Sequence, residues 1–385
     1  MNETIEFIRT PLPMLQIITG GGIRFSTIVE LQGPNKSGKS TTCYQSAGYF
    51  LEDYGDNAIL KILDSETSAD YIRLLSFNID VADERVEIIP ATFVEDGMSY
   101  IFKWIENLPS DKRMMIIWDT LAACPTRSAY ETAMAAKSGS ELTMYSGGMA
   151  DRPRVVKHYL RQVMSLLYGK KASLWMPNQM FVTFNHYGSA LQAGEGSALQ
   201  HDKHYSILFA RKDKDVTTLE ETSSVVSETL SQYALVKSKF SPEFAPNVLH
   251  IDNTAGGIID ERLSLIETCV KENLITRNGS WYKIGNEGKN YRMADIQSDD
   301  DAFKLLTRKL IIKFRASYPT VDRVYLVQGF PPLTEEERQM AVKKKKTSSL
   351  SFLSCFEACH SASSFIPEVE TEDSGTEPVE ETVEK

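Results

Sequence analysis

Little in this sequence offers a covalent or a membrane anchor. Its 385 residues hold five cysteines (Cys43, Cys124, Cys269, Cys355 and Cys359), an odd number and mostly far apart. That argues against a disulfide framework and points to free thiols in a reducing compartment. Only Cys355, Cys359 and His360 lie close together, and three possible ligands in a serine-rich stretch make a thin case for zinc. No run of eighteen apolar residues exists, and the N-terminus lacks a charged-then-apolar signal pattern. A soluble cytoplasmic protein is the default expectation. A basic excess is lacking as well: 42 basic against 52 acidic residues give a net charge of −10. This excludes a chain coated in basic surface while leaving room for a local nucleic-acid groove.

What is present is ordinary globular material, 42% hydrophobic and 24% charged, long enough for one large domain plus a smaller one with no staples. The charge is unevenly placed. Glu368–Lys385 carries eight acidic residues and one lysine, a net of −7, which leaves −3 for the other 367 residues. This Glu/Pro/Thr/Ser-rich tail lacks periodicity and is expected to be disordered. It follows Lys343-Lys344-Lys345-Lys346 and the serine-rich run 348–364. It is either a plain solvated tail or an acidic mimic that competes with nucleic acid for a basic groove.

Apolar runs alternate with helix-compatible text. Strands are expected at Thr27–Gln32, Ala58–Leu63, Val86–Pro90, Met114–Trp118 and Met180–Phe184. Helices are expected from Lys39 to about Glu52, from about Ser68, at Gly97–Leu108 and at Val155–Leu167. Further β-rich runs lie at Tyr205–Ala210, Tyr233–Val236 and Val248–Ile251. The pattern predicts an α/β fold with a mainly parallel sheet between helices. From about Glu261 the texture changes to a helix, then Asn278-Gly279-Ser280-Trp281-Tyr282, then charged helical text. The division expected is a short N-terminal segment 1–12, a core 13–260, a small α/β C-terminal domain 261–340 and a linker and tail 341–385.

Gly33-Pro34-Asn35-Lys36-Ser37-Gly38-Lys39-Ser40-Thr41 matches G-x-x-x-x-G-K-[ST] between an expected strand and helix. Its glycines let successive N–H groups turn toward phosphate oxygens, and the helix N-terminus adds its positive end. Lys39 is placed to reach the β- and γ-phosphates and Ser40 to ligate Mg²⁺. Hydrolysis needs more. Asp119 ends the apolar strand MMIIW, where a second Mg²⁺-side carboxylate belongs, acting through water. Asp64-Ser65-Glu66 ends the preceding apolar strand, so Glu66 can face the γ-phosphate; the alternative is an acid capping the next helix. Asn185-His186 closes MFVTF at what is expected to be the same edge, where His186 could sense the γ-phosphate; the alternative is a loop polar pair.

These four elements, in this order, resemble the RecA recombinases. GPNKSGKST is similar to their phosphate loop, Asp64-Ser65-Glu66 to the strand end that supplies their catalytic glutamate, and MMIIWDTLAAC to their second nucleotide motif. The Asn185-His186 strand end is most similar to the phage branch, of the T4 recombinase type; bacterial members usually have glutamine there. Leu235-Val236-Lys237-Ser238-Lys239-Phe240 resembles the segment whose two lysines reach into the neighbouring protomer's ATP site. Gly279-Ser280-Trp281-Tyr282 resembles a Gly-x-Trp-Tyr element after the core. The resemblance spans about residues 8 to 285.

The resemblance implies an RecA-like ATPase core and an ATP- and Mg²⁺-dependent enzyme that assembles on single-stranded DNA. The implied activity is strand exchange with a homologous duplex, with Lys39, Glu66 and His186 acting in one protomer and Lys237 and Lys239 in the next. It places a first DNA-binding loop at 139–154, with Arg152 and Arg154 as phosphate contacts. A second falls at 187–204, where Gly188, Gly194 and Gly196 permit close approach; Glu195 and Asp202 work against phosphate there. It also implies a head-to-tail homo-oligomer or filament, located in host cytoplasm if the chain is of phage origin. Only Met1 to Leu12 precede text that aligns with the core, where the family usually carries a helix and strand that dock on the next protomer. That favours an alternative, an accessory ATP-binding protein without filaments; a further alternative, a hexameric helicase motor, rests on the shared fold alone and is disfavoured by the Lys237-Ser238-Lys239 and Gly279-Ser280-Trp281-Tyr282 segments.

Overall fold

The structure is a computed structural model that describes residues 5–67, 69–135, 151–185, 188–193, 202–211, 228–253, 256–284 and 290–314. These lie in the first of two units, Met1–Ser348; the second, Ser349–Lys385, falls outside the described residues. The acidic tail and the Cys355, Cys359, His360 group therefore lie outside them too.

A two-stranded antiparallel ribbon, β1 (Phe7–Ile8) with β2 (Ile23–Arg24), brackets helix α1 (Pro13–Thr19). There follow β3 (Thr27–Gly33), α2 (Lys39–Tyr54), β4 (Ala58–Asp64), α3 (Tyr71–Leu75), β5 (Val86–Pro90), α4 (Val94–Glu106) and β6 (Arg113–Asp119). Next come α5 (Arg127–Ala135), α6 (Asp151–Leu167), β7 (Ala172–Asn185), β8 (Gly188–Ala193), β9 (Tyr205–Arg211), β10 (Glu228–Ser238), β11 (Phe244–Asp252) and β12 (Ile258–Ile259). The main sheet runs β12-β11-β10-β9-β3-β7-β6-β4-β5, with β8 paired to the outer half of β7. From β9 to β5 every neighbouring pair is parallel; β10, β11 and β12 add antiparallel strands at one side.

The continuous apolar strands are buried on both faces, and alternate side chains feed two separate cores. Val29, Leu31, Met115, Ile117 and Trp175 pack with Tyr44, Ala47 and Phe50 of α2. Ile28, Met114, Ile116, Trp118 and Leu174 pack with Met98 and Ile101 of α4 and Val156 and Leu160 of α6. The fold class is thus the α/β sandwich that the alternating pattern predicts.

Several boundaries differ from the sequence expectation. The helix expected from about Ser68 is the five-residue α3, and α4 begins at Val94 rather than Gly97. Glu95 and Asp96 in its first turn suit the positive helix end. The largest correction concerns β7. Its sheet portion is Ala172–Gln179, which pairs with Thr27–Gly33, whereas Met180–Asn185 pairs only with β8 as a hairpin. Pro177 argues against a strand in the sequence. It is tolerated because pairing with β6 has already ended at Ile117↔Trp175.

Beyond the sheet, α7 (Glu261–Lys271) leads into an antiparallel sheet of β13 (Ile275–Asn278), β14 (Trp281–Ile284) and β15 (Asn290–Arg292), then α8 (Met293–Ser298) and α9 (Asp300–Phe314). Leu265, Ile275, Tyr282, Ile296 and Leu310 form a third core, which takes in Ile17 of α1.

Candidate functional site

The C-terminal ends of β3, β4, β6 and the sheet part of β7 meet at one edge, since Asp64 pairs with Asp119 and Gly33 with Gln179. A cavity of about 390 Å³ opens there. Asn35 to Thr41 form one wall, and Glu66, Arg73, Asp119, Thr120, Pro177 and Gln179 complete it.

The loop's shape depends on glycine at its first position. Gly33 has φ +157°, and a Cβ there would lie 2.5 Å from the Phe209 carbonyl oxygen. Gly38 caps α2 in the left-handed region at φ 96°. The Lys39 ammonium is turned into the loop, donating to the Pro34 carbonyl at 2.6 Å. Burial lowers its pKa to about 8, against the opposing pull of Asp119 and Glu66.

Asp119 is 3% exposed. Its Oδ1 accepts from Ser40 Oγ at 3.1 Å and its Oδ2 from Tyr44 Oη at 2.9 Å. Burial pushes its pKa up while both hydroxyls and Arg73 pull it down. A hydroxyl and a carboxylate side by side fit Mg²⁺, a hard cation held by one or two protein oxygens, waters and substrate phosphates. No cluster of three His, Cys, Asp or Glu side chains that could hold a metal ion occurs among the described residues.

Glu66 is exposed at the rim. The acid that caps the turn after β4 is Asp64, which accepts from the amides of Glu66 at 3.2 Å and Ala69 at 3.0 Å. Glu66 Oε1 faces the Gln179 amide at 3.4 Å, and burial beside Asp119 raises its pKa. The strand end next to the phosphate loop is therefore Asn178-Gln179, not Asn185-His186. Asn185 lies six residues farther along, in the hairpin, and His186 lies outside the described residues. Gln179 itself lines the cavity, opposite Gly33. Equal strand length was the signal available: Gln179 falls at the end of the apolar run SLWMP, opposite Gly33.

Lys237 and Lys239 do not line the cavity. Lys237 pairs with Ser206 and the Lys239 amide donates to the His204 carbonyl, at the far end of β9 from Phe209 and the loop. Burial, Lys203 and Lys239 lower the Lys237 pKa. Of the two arginines assigned to DNA, Arg152 is half-buried and donates to the Leu121 carbonyl at 2.8 Å, tying α6 to the Asp119 strand end. Arg154 is exposed and joins Lys157, His158 and Arg161 along a shallow basic depression of about 410 Å³. That cluster was missed in the sequence because helical spacing spreads it over two turns. Gly188 opens β8, paired with Asn185. Gly194 and Gly196, with residues 136–150, lie outside the described residues.

No family model matches the chain. It is similar to curated proteins named RecA. That of Leptospira biflexa serovar Patoc is 25% identical over 295 residues, 74% of this chain and 69% of the relative. That of Borrelia hermsii is 24% identical over 327 residues, 80% and 82%. That of Borrelia turicatae is 26% identical over 367 residues, 90% and 87%. The phosphate loop, the acid-bearing strand ends and the mainly parallel sheet thus belong to a chain that is RecA-like over most of its length.

Proposed function

We propose that this protein is an ATP-dependent DNA recombinase that binds single-stranded DNA and promotes pairing and strand exchange with a homologous duplex. The observation that carries the reading is the convergence of Lys39, Ser40, Glu66, Asp119 and Gln179 on one cavity. Lys39 and the loop amides would hold the triphosphate, and Glu66 would orient the attacking water. Gln179 would sense the γ-phosphate, in place of His186. Ser40 and, through water, Asp119 would hold Mg²⁺, which supplies charge neutralisation on the phosphate oxygens.

Arg154, Lys157 and Arg161 present a basic face for backbone phosphates, at the end of the segment assigned to the first DNA loop and in the helical turns that follow it. Arg152 would act indirectly, by anchoring that helix. Lys237 and Lys239, remote from their own cavity, suit a role in a neighbour's site within a head-to-tail assembly. We take residues 13–260 as the ATPase core, 261–340 as a smaller domain and 341–385 as linker and tail, in a cytoplasmic protein. No helix among the described residues is long and apolar enough to cross a membrane.

The test is ATP turnover with and without single-stranded DNA over a protein concentration series. Stimulation that rises cooperatively with protein supports active sites shared on DNA. Flat, DNA-independent turnover overturns the recombinase in favour of an accessory ATP-binding protein, and duplex unwinding in favour of a helicase motor.

A further inference from the structure

Asp119 is held by two hydroxyls from the same helix, and only one of them belongs to the phosphate-loop pattern. Ser40 and Tyr44 are four residues apart on α2, so they lie on one face a turn from each other. Ser40 Oγ donates to Oδ1 and Tyr44 Oη to Oδ2, one donor for each oxygen. We infer that Tyr44 is a positioning residue that fixes the plane of the Asp119 carboxylate for the Mg²⁺-bound nucleotide. The inference rests on the nucleotide reading above.

Three observations support it. A carboxylate held at one oxygen can still swing about its last side-chain bond; held at both it cannot. Ser40 is also the hydroxyl assigned to Mg²⁺, so it would be shared with the metal, whereas the Tyr44 hydroxyl is bonded to Asp119 and to no other group among the described residues. The phenol cannot drift away either. Its side chain is fully buried, with the Arg73 guanidinium 5.6 Å from the ring centroid and the Phe77 ring at 6.0 Å. Arg73 lines the same cavity, so the clamp is backed by a side chain that faces the nucleotide.

The competing account is that Tyr44 only fills the core and borrows Asp119 to satisfy its own buried hydroxyl. Tyr44→Phe separates the two, because it keeps the ring and removes the donor. The full-length chain is titrated with a fluorescent ADP analogue, first in EDTA and then over a Mg²⁺ series. We expect affinity in EDTA to match the parent, while the Mg²⁺ needed for the half-maximal gain rises roughly tenfold, the loss of a bond to a charged group. In an Asp119→Asn background, Tyr44→Phe should add no further shift, since it acts through that carboxylate. An unchanged Mg²⁺ requirement overturns the inference, as does the same shift in both backgrounds. Loss of binding in EDTA marks Tyr44 as a packing residue and overturns it too. If the parent shows no Mg²⁺-dependent nucleotide binding, the nucleotide reading itself falls and takes this inference with it.

Discussion

Two carboxylates leave the end of β4, and they have different work. Asp64 spends its oxygens on the amides of Glu66 and Ala69, so the Glu66 carboxylate is left to the cavity. Glu66→Gln should therefore bind ATP like the parent and hydrolyse it on the order of 100-fold more slowly. Parallel binding and turnover assays check this, and turnover near that of the parent removes Glu66 from the chemistry. Lys39 gives a pH signature. Its pKa is lowered to about 8, and the protonated form is the one that attracts phosphate. In EDTA, ADP affinity should be flat below pH 8. Above it, each binding event must take up a proton, so affinity falls by up to about tenfold per pH unit. A titration series from pH 6.5 to 9.5 checks the sign. At this scale the sequence was most legible where a pattern is local: the loop from Gly33 to Thr41 and the acids closing two apolar runs. Gln179 and Tyr44 were not, because one needs the strand register and the other the angle of α2 against β6.

At the scale of elements, the start of β9 is tied to the middle of the sheet by a buried ion pair. Lys203 Nζ pairs with Glu30 Oε2, and the two side chains are 5% and 0% exposed. Asn178 adds a bond to Glu30 Oε1 at 2.8 Å, so β3, the Gln179 end of β7 and the approach to β9 share one polar knot. Lys203→Met would leave Glu30 buried without its cation and should destabilise the fold by about 3 kcal/mol, read as a lower denaturant midpoint. The double variant Glu30→Leu with Lys203→Met should recover much of that loss, because the uncompensated charge is gone. Nothing in the spacing of Glu30 and Lys203 along the chain announces this pair. What the elements did announce was their type and order, since MMIIW and TIVELQ are too continuously apolar to face water. The misplacement of Met180–Phe184 shows the limit. Both halves of β7 are β-prone, and only their partners distinguish a sheet strand from a hairpin arm.

At the scale of the whole molecule, charge is the property most open to test. Residues 368–385 hold −7 of the total −10, whereas Arg154, Lys157 and Arg161 of the described residues form a basic face. Removing residues 366–385 should tighten single-stranded DNA binding several-fold at about 50 mM salt and much less at about 300 mM, since screening weakens a competing acidic segment. Equal affinity of both chains at the lower salt would show that the tail plays no such part.

The third core has a consequence for the order in which the chain is made. Ile17 leaves the ribosome well before the partners it packs with, Leu265 to Ile311, which come some 250 residues later. One face of α1 can settle early against β3 and α2 through Leu15 and Ile18, but the other must wait. Such a long-range closure is slow to form. Nascent chains arrested before residue 261 should therefore expose α1 to protease, and its protection would serve as a clock for completion of the C-terminal module.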